Sequence, residues 1–256
     1  MPDDEQPGDP TRRAGDVDDV DADALPTVHE TPIVKWLLGI NIVVYLIDQS
    51  LRVSLHTVYG SSTSGYFTYH GNFNIEQAMN QWQLWRLFTY QFLHGNLFHL
   101  VMNMMALYVF GPMMAKWWGA RRFLVFYLLC GACGAWLMAM LTYAGLLSTA
   151  GGSAGWLVGA SGSIFGLLVG VALVAPSLEV KLIFPPIWLT VRRLAFIFGA
   201  ISLGGLLIDW NGGGNAAHLG GAFFGYVLIK RPWTLDWADR DAPKLEPPGD
   251  DGNDEA

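Results

Sequence analysis

Apolar residues gather into six runs along this chain, near 33–47, 97–116, 123–147, 157–175, 187–208 and 216–229. A membrane span takes about 20 apolar residues, with ~17 tolerated and flanking residues able to extend a short run. The pattern therefore predicts six transmembrane helices, the first and last on short runs. Residues 49–97 are mixed and rich in aromatic side chains, among them Tyr66, Phe67, Tyr69, Phe73, Trp82, Trp85 and Tyr90. Such density suits a segment at the lipid–water interface. Residues 1–30 are polar, acidic and aperiodic, and after Arg231 the chain turns polar with no seventh span. Both ends are read as disordered tails. The first 30 residues hold no apolar signal-peptide core, so insertion is expected from the internal spans.

The basic residues fix an orientation. With the N-terminus in the cytoplasm, Lys35, Lys116, Arg121, Arg122, Lys181, Arg192, Arg193, Lys230 and Arg231 all fall at cytoplasmic ends. Only Arg52 and Arg86 fall outside. Positive charge is retained on the cytoplasmic side of a bilayer, so both tails are expected there, with the bundle in the cytoplasmic membrane.

Composition agrees. Hydrophobic residues make up 52% of the 256 and charged ones only 14%, against ~25% charged in an average soluble domain; the mean hydropathy is +0.31. The net charge of −7 divides into −8 over residues 1–30, −6 over residues 236–256 and +7 between them. An apolar, basic core with acidic tails excludes an ordinary soluble enzyme and a nucleic-acid-binding protein. Cys130 and Cys133 form a CxxC inside an apolar run beside Gly131, Gly134 and Ala135. That setting favours small-residue helix packing over a redox or metal pair.

Polar residues inside the runs are few, and their depth is informative. In this topology the second, fourth and sixth spans all descend from the outer face. His94, His99 and Asn103 lie near the outer start of the second, Ser161 near that of the fourth, and His218 near that of the sixth. Polar side chains at membrane depth are costly unless paired or facing water, which makes the cluster a functional candidate. Gly162, Gly166 and Gly170 line one face of the fourth span, and Ala217, Gly221 and Gly225 one face of the sixth. Such stripes let helix backbones approach closely. If they face each other, Ser161 and His218 come within hydrogen-bond reach.

A serine hydroxyl becomes a good nucleophile when a neighbouring base takes its proton. His218 is the one imidazole in the later spans placed to do so. Asp209, the nearest acid in sequence, lies beyond the 210–215 loop, so the reading is a Ser–His dyad rather than a triad. His99 and Asn103, four apart, share a helix face. They are either hydrogen-bond donors to an oxyanion or glue between helices, and His94 is read as loop support. No HExxH is present, as a zinc protease would need. Asp48 and Asp209 stand at span ends, where an aspartyl protease would need mid-depth carboxylates. The GxSxG elbow of soluble hydrolases is also missed, because Ser163 takes the last glycine position. The reading calls for no metal and no cofactor. No inverted repeat or charged pathway suggests a transporter.

Four motifs in order resemble the rhomboid intramembrane serine proteases: Trp85 with Arg86 in the first outer loop, His99 with Asn103 entering the second span, Gly159, Ala160, Ser161 and Gly162 entering the fourth, and Ala217, His218, Leu219, Gly220 and Gly221 in the sixth. The likeness covers about residues 33–231. It implies an all-α membrane protein, a six-transmembrane-helix bundle over residues 31–231 with an interfacial first outer loop; the acidic tails at 1–30 and 232–256 are read from composition and have no counterpart in the resemblance. It implies an endopeptidase that cleaves single-pass membrane proteins in or beside their transmembrane helix. Ser161 would be nucleophile and His218 general base, with His99, Asn103 and the Ser161 backbone N–H as the oxyanion site. Trp85 and Arg86 would shape the interfacial loop, and Phe165 would keep a ring against the catalytic imidazole. The partners implied are transmembrane substrates and the lipid bilayer, and the oligomeric state is left open. The run 212–214 before the sixth span suits a mobile lid, or an ordinary linker. The alternative is an inactive rhomboid-like protein that binds transmembrane clients without cutting them.

Overall fold

The computed structural model describes residues 26–57, 60–147, 156–182 and 186–240. Each of the six apolar runs contains a helix, and among the described residues the connections carry two small hairpins, two short α-helices, a π-helical turn at Glu76–Asn80 and a 3₁₀ turn at Tyr90–Phe92. In chain order the elements are α1 (Pro32–Ser50), a hairpin of β1 (Arg52–Thr57) and β2 (Gly60–Gly65), α2 (Tyr66–Gly71), α3 (Arg86–Thr89), α4 (Leu97–Trp118), α5 (Ala120–Tyr143), α6 (Ser161–Val174), a hairpin of β3 (Glu179–Lys181) and β4 (Trp188–Thr190), α7 (Val191–Leu207) and α8 (Gly212–Lys230). Both hairpins are antiparallel, with Arg52 opposite Gly65 and Glu179 opposite Thr190.

Among the described residues three helices, α1, α4 and α5, are long and apolar enough to cross a membrane. The bundle has an apolar interior around Leu107, Phe123, Phe126 and Leu167, and its outer surface is apolar as well. Trp36, Leu46, Tyr108, Phe196, Ile201, Leu207 and Phe223 are exposed, while Asn41, Asn103, Ser163, Ser202 and Asn215 are buried. Large apolar side chains spread over the outside need an apolar surround, so this is a membrane protein.

Local sequence sets the helix ends. Asn96 caps α4 by accepting the His99 N–H at 2.8 Å, which satisfies one of the orphan donors of the first turn. Gly119, at φ 80°, ends α4 and turns the chain directly into α5; this is a backbone conformation that glycine adopts without strain. Pro112 lies inside α4, and such breaks are tolerated in spans where neighbouring helices cover the backbone.

The centre of the molecule is the trio α5, α6 and α8, with α7 on α8 and α6, and with α4 linking α6 to α1. Glycine makes the trio possible. A methyl on Gly221 would strike the Gly162 carbonyl, and one on Gly225 would lie 2.7 Å from Gly166 Cα. The two small-residue stripes therefore do face each other, as expected. Gly134 on α5 meets α8 in the same way: a methyl on it would lie 2.5 Å from the Ala217 carbonyl oxygen. Cys130 is a free, buried thiol packed against Gly166, in keeping with the packing role read for the CxxC.

The loop between α1 and α4 is folded rather than loosely spread. Asp48, buried at the end of α1, accepts the Phe67 and Thr68 N–H groups at 2.6 and 3.0 Å and the Thr68 hydroxyl at 2.6 Å. It caps α2 and joins the loop to the first helix, a structural task that accounts for its burial. Gln91 donates to the Leu128 carbonyl at 3.1 Å and accepts the Ser163 hydroxyl at 2.9 Å, and Tyr90 donates to the Gly131 carbonyl at 2.7 Å. The loop is thereby fixed to α5 and α6.

Two expectations are corrected. Residues 212–214 are not a loop before the last helix but its first turn, with Gly212 and Gly213 buried. A methyl on Gly212 would lie 2.9 Å from Leu147 Cδ2, so the glycines serve close packing at a helix start and the lid loses its loop. The tail boundaries also move. Val28–Glu30 form a 3₁₀ turn against α1 and α4, and Pro232–Ala238 form another that packs on α5 and α8. The second turn is held because the buried Arg122 guanidinium pairs with Asp236 at 3.1 Å and donates to the Asp239 carbonyl at 3.2 Å. The rest of both tails, residues 1–25 and 241–256, lies outside the described residues.

Candidate active site

Ser161 is the first residue of α6, and His218 stands in the second turn of α8. The glycine contacts bring these two helices to backbone contact at Gly162 and Gly221, one residue past the serine and three past the histidine. At that separation His218 Nε2 lies 2.8 Å from Ser161 Oγ. Both residues are partly buried, neither sealed off nor fully open. A pair in this geometry can pass the hydroxyl proton to the imidazole when the oxygen attacks an electrophile.

Two further groups hold the imidazole. Phe165, one turn along α6, stacks on it with ring centroids 4.2 Å apart and planes 6° apart. Ser202 of α7 places its Oγ 3.2 Å from Nδ1. The resemblance gave Phe165, but the sequence reading passed over Ser202. The available signal was a single uncharged polar residue in the apolar run of α7. Asp209 lies exposed in the turn after α7 at φ 52°, so no carboxylate takes the place beside Nδ1 among the described residues.

His99 and Asn103 stand on one face of the first turns of α4, with the Asn103 side-chain amide donating to the His99 carbonyl at 3.0 Å. Both border Gly159, two residues before Ser161. A methyl there would lie 2.6 Å from the His99 ring and 3.8 Å from Asn103 Nδ2, and Gly159 itself has φ +122°. Glycine is therefore required twice over, for the backbone angle and for space. Gly159 N–H in turn donates to the Tyr90 carbonyl at 3.0 Å, which ties the segment before α6 to the loop between α1 and α4. His94 is buried and sits edge-on to His99, centroids 5.1 Å apart, a place consistent with support of the loop.

Arg86 is buried, and its guanidinium donates to Gln83 Oε1 at 2.8 Å and to the Asn72 carbonyl at 2.7 Å. It clasps the loop between α1 and α4 from inside. Trp85 beside it is exposed, as an interfacial ring would be.

Comparison with known proteins supplies the family. The family model described as Rhomboid domain matches residues 81–231, more than half of the chain, and the chain belongs to the rhomboid family. Members of that family are generally intramembrane serine proteases. The chain is similar to the human presenilin-associated rhomboid-like protein, mitochondrial, with 30% identity over 151 residues, 59% of this chain and 38% of that protein. It is also similar to RHOMBOID-like protein 1 of Arabidopsis thaliana, 31% identical over 178 residues, 68% of this chain and 42% of that protein. The matched region thus spans well under half the length of these relatives.

Proposed function

We propose that this protein is an intramembrane serine endopeptidase that hydrolyses peptide bonds in or beside the transmembrane helix of membrane proteins. The observation that carries the reading is the 2.8 Å contact between Ser161 Oγ and His218 Nε2 across the α6–α8 seam. Ser161 Oγ attacks the scissile carbonyl carbon while its proton passes to Nε2. The tetrahedral intermediate collapses as the imidazolium returns that proton to the leaving amine, and an acyl-enzyme remains. Nε2 then takes a proton from water, the resulting attack cleaves the ester, and Ser161 regains its proton. His99, Asn103 and the Ser161 N–H stabilise the negative oxygen, helped by the positive end of α6.

The depth of the site follows from the length of its helix. At 14 residues, α6 rises about 21 Å, short of the ~30 Å hydrocarbon core. A helix of that length ending near the inner face sets Ser161 below the outer surface, at the level of a substrate's membrane segment. Six spans, with both chain ends cytoplasmic and the bundle in the cytoplasmic membrane, complete the reading. Support for them comes from the six helices and from nine basic residues at inner ends against two at outer ones.

Labelling with a fluorophosphonate probe tests the assignment. The wild type is expected to label and to cleave a transmembrane reporter in liposomes, and Ser161→Ala and His218→Ala to do neither. Labelling that persists in Ser161→Ala places the reactive group elsewhere. A wild type that neither labels nor cleaves, yet retains a transmembrane segment on purification, establishes the client-binding alternative instead.

A further inference from the structure

We propose that Ser202 is a positioning residue of the hydrolytic site, a neutral third member that orients His218 from α7; the inference rests on the Ser161–His218 reading. To accept the Ser161 proton at Nε2, the neutral imidazole must carry its own hydrogen on Nδ1. That N–H points into the packed seam between α7 and α8, where a donor without a partner is costly. Ser202 Oγ stands 3.2 Å from Nδ1 and accepts it. This fixes the tautomer and stops the ring from turning over to exchange its two nitrogens. When the ring becomes an imidazolium, the same bond is retained as a charge-assisted one.

The placement is specific to this serine. Ile201 and Leu203 on either side are exposed on the apolar outer surface, whereas Ser202 is buried, so α7 turns its one uncharged hydroxyl inward. The same helix acts on the ring a second time. Phe198, one turn before Ser202, packs edge-on against Phe165 with centroids 6.2 Å apart, and Phe165 is the ring stacked on His218. Ser202 therefore controls rotation of the imidazole within its plane, while Phe198 backs the residue that holds the plane itself. A hydroxyl is also the cheaper choice at membrane depth, since a carboxylate in this seam would carry a charge into an apolar surround. Three helices thus meet at one side chain, with α6 and α7 each contributing a contact to a histidine on α8.

Ser202→Ala and Ser202→Thr in liposomes, with a transmembrane reporter, test the assignment. Removal of one hydrogen bond that gains charge during the reaction predicts a kcat lower by roughly 10- to 100-fold, with KM unchanged, because Ser202 does not touch substrate. Threonine keeps the hydroxyl and restores most of the rate. Fluorophosphonate labelling should slow in parallel in the alanine variant only. Wild-type kcat in Ser202→Ala overturns the proposal, and so does a threonine variant as slow as the alanine one, since packing would then be the cause. Ser161→Ala and His218→Ala run alongside. If they are inactive while Ser202→Ala is normal, the positioning role alone fails; if Ser161→Ala still cleaves, the dyad fails and the role of Ser202 with it.

Discussion

Replacing Gly221 by alanine inserts one methyl group between α6 and α8 at the level of the dyad. The methyl would overlap the Gly162 carbonyl, and neither backbone can turn aside as a side chain could. One turn further, at Gly225, the corresponding contact is 2.7 Å where ordinary contact begins at 3.4 Å, a shortfall of about 0.7 Å. The overlap at Gly221 is worse, so the helices must part locally by roughly 1 Å. Overpacking of this kind costs about 1–3 kcal/mol, offset in part by the ~1 kcal/mol by which alanine exceeds glycine in a helix. The bundle therefore survives and the site does not. Ser161 and His218 are carried by the two helices being separated, and their 2.8 Å contact is stretched beyond the ~3.2 Å reach of an effective base. A misplacement of about 1 Å costs on the order of 10² in rate. Turnover of a transmembrane reporter in liposomes should fall about that far in Gly221→Ala, with the melting temperature in detergent changing little. Gly170→Ala is the control. Its methyl would lie 3.3 Å from the ends of Met114 and Ile229, flexible groups that can give way, so turnover should stay near wild type. Full activity in Gly221→Ala, or equal loss in Gly170→Ala, would refute the link between seam spacing and catalysis.

Two other substitutions probe the surroundings. Gly159→Ala meets both a φ of +122° and the His99 ring, so it should lose most activity and about 1–3 kcal/mol of stability; reporter cleavage and thermal melting check the two separately. Asp236→Asn removes the charge paired with the buried Arg122 at 3.1 Å. Asp236 is only partly buried and Arg122 keeps its bond to the Asp239 carbonyl, so the loss should stay below the ~3–5 kcal/mol of a fully buried pair, and the melting temperature should drop with little change in KM.

Much of this arrangement could be read from the residues themselves. The six apolar runs marked six helices because burying a backbone in an apolar surround demands internal hydrogen bonds, whatever the neighbours are. The stripes of small residues at 162, 166 and 170 and at 217, 221 and 225 marked which faces would meet, since only such positions let backbones touch. From those two facts Ser161 and His218 followed as a pair, because each stands beside its own stripe. Gly159 also belonged to a recognisable motif, although its positive φ did not show.

Other features were decided by tertiary structure. Whether glycines 212–214 form a hinge or a helix turn depends on what packs against them, and Leu147 lies close enough to claim the space that a side chain would fill. The segment 232–238 looked like the start of a polar tail until Arg122, more than a hundred residues earlier, proved to be buried and to need its acid. Asp48 had no visible task until the chain folded back to offer it three donors some 20 residues later. Ser202 is the clearest case. Within its own run it is one hydroxyl among apolar neighbours, and no period or spacing relates it to His218. Their contact exists because α7 packs against α8 at one particular rotation. Sequence periodicity determines which face of a helix is buried, but the atom that a buried polar group meets is set by the angle and depth at which two helices dock.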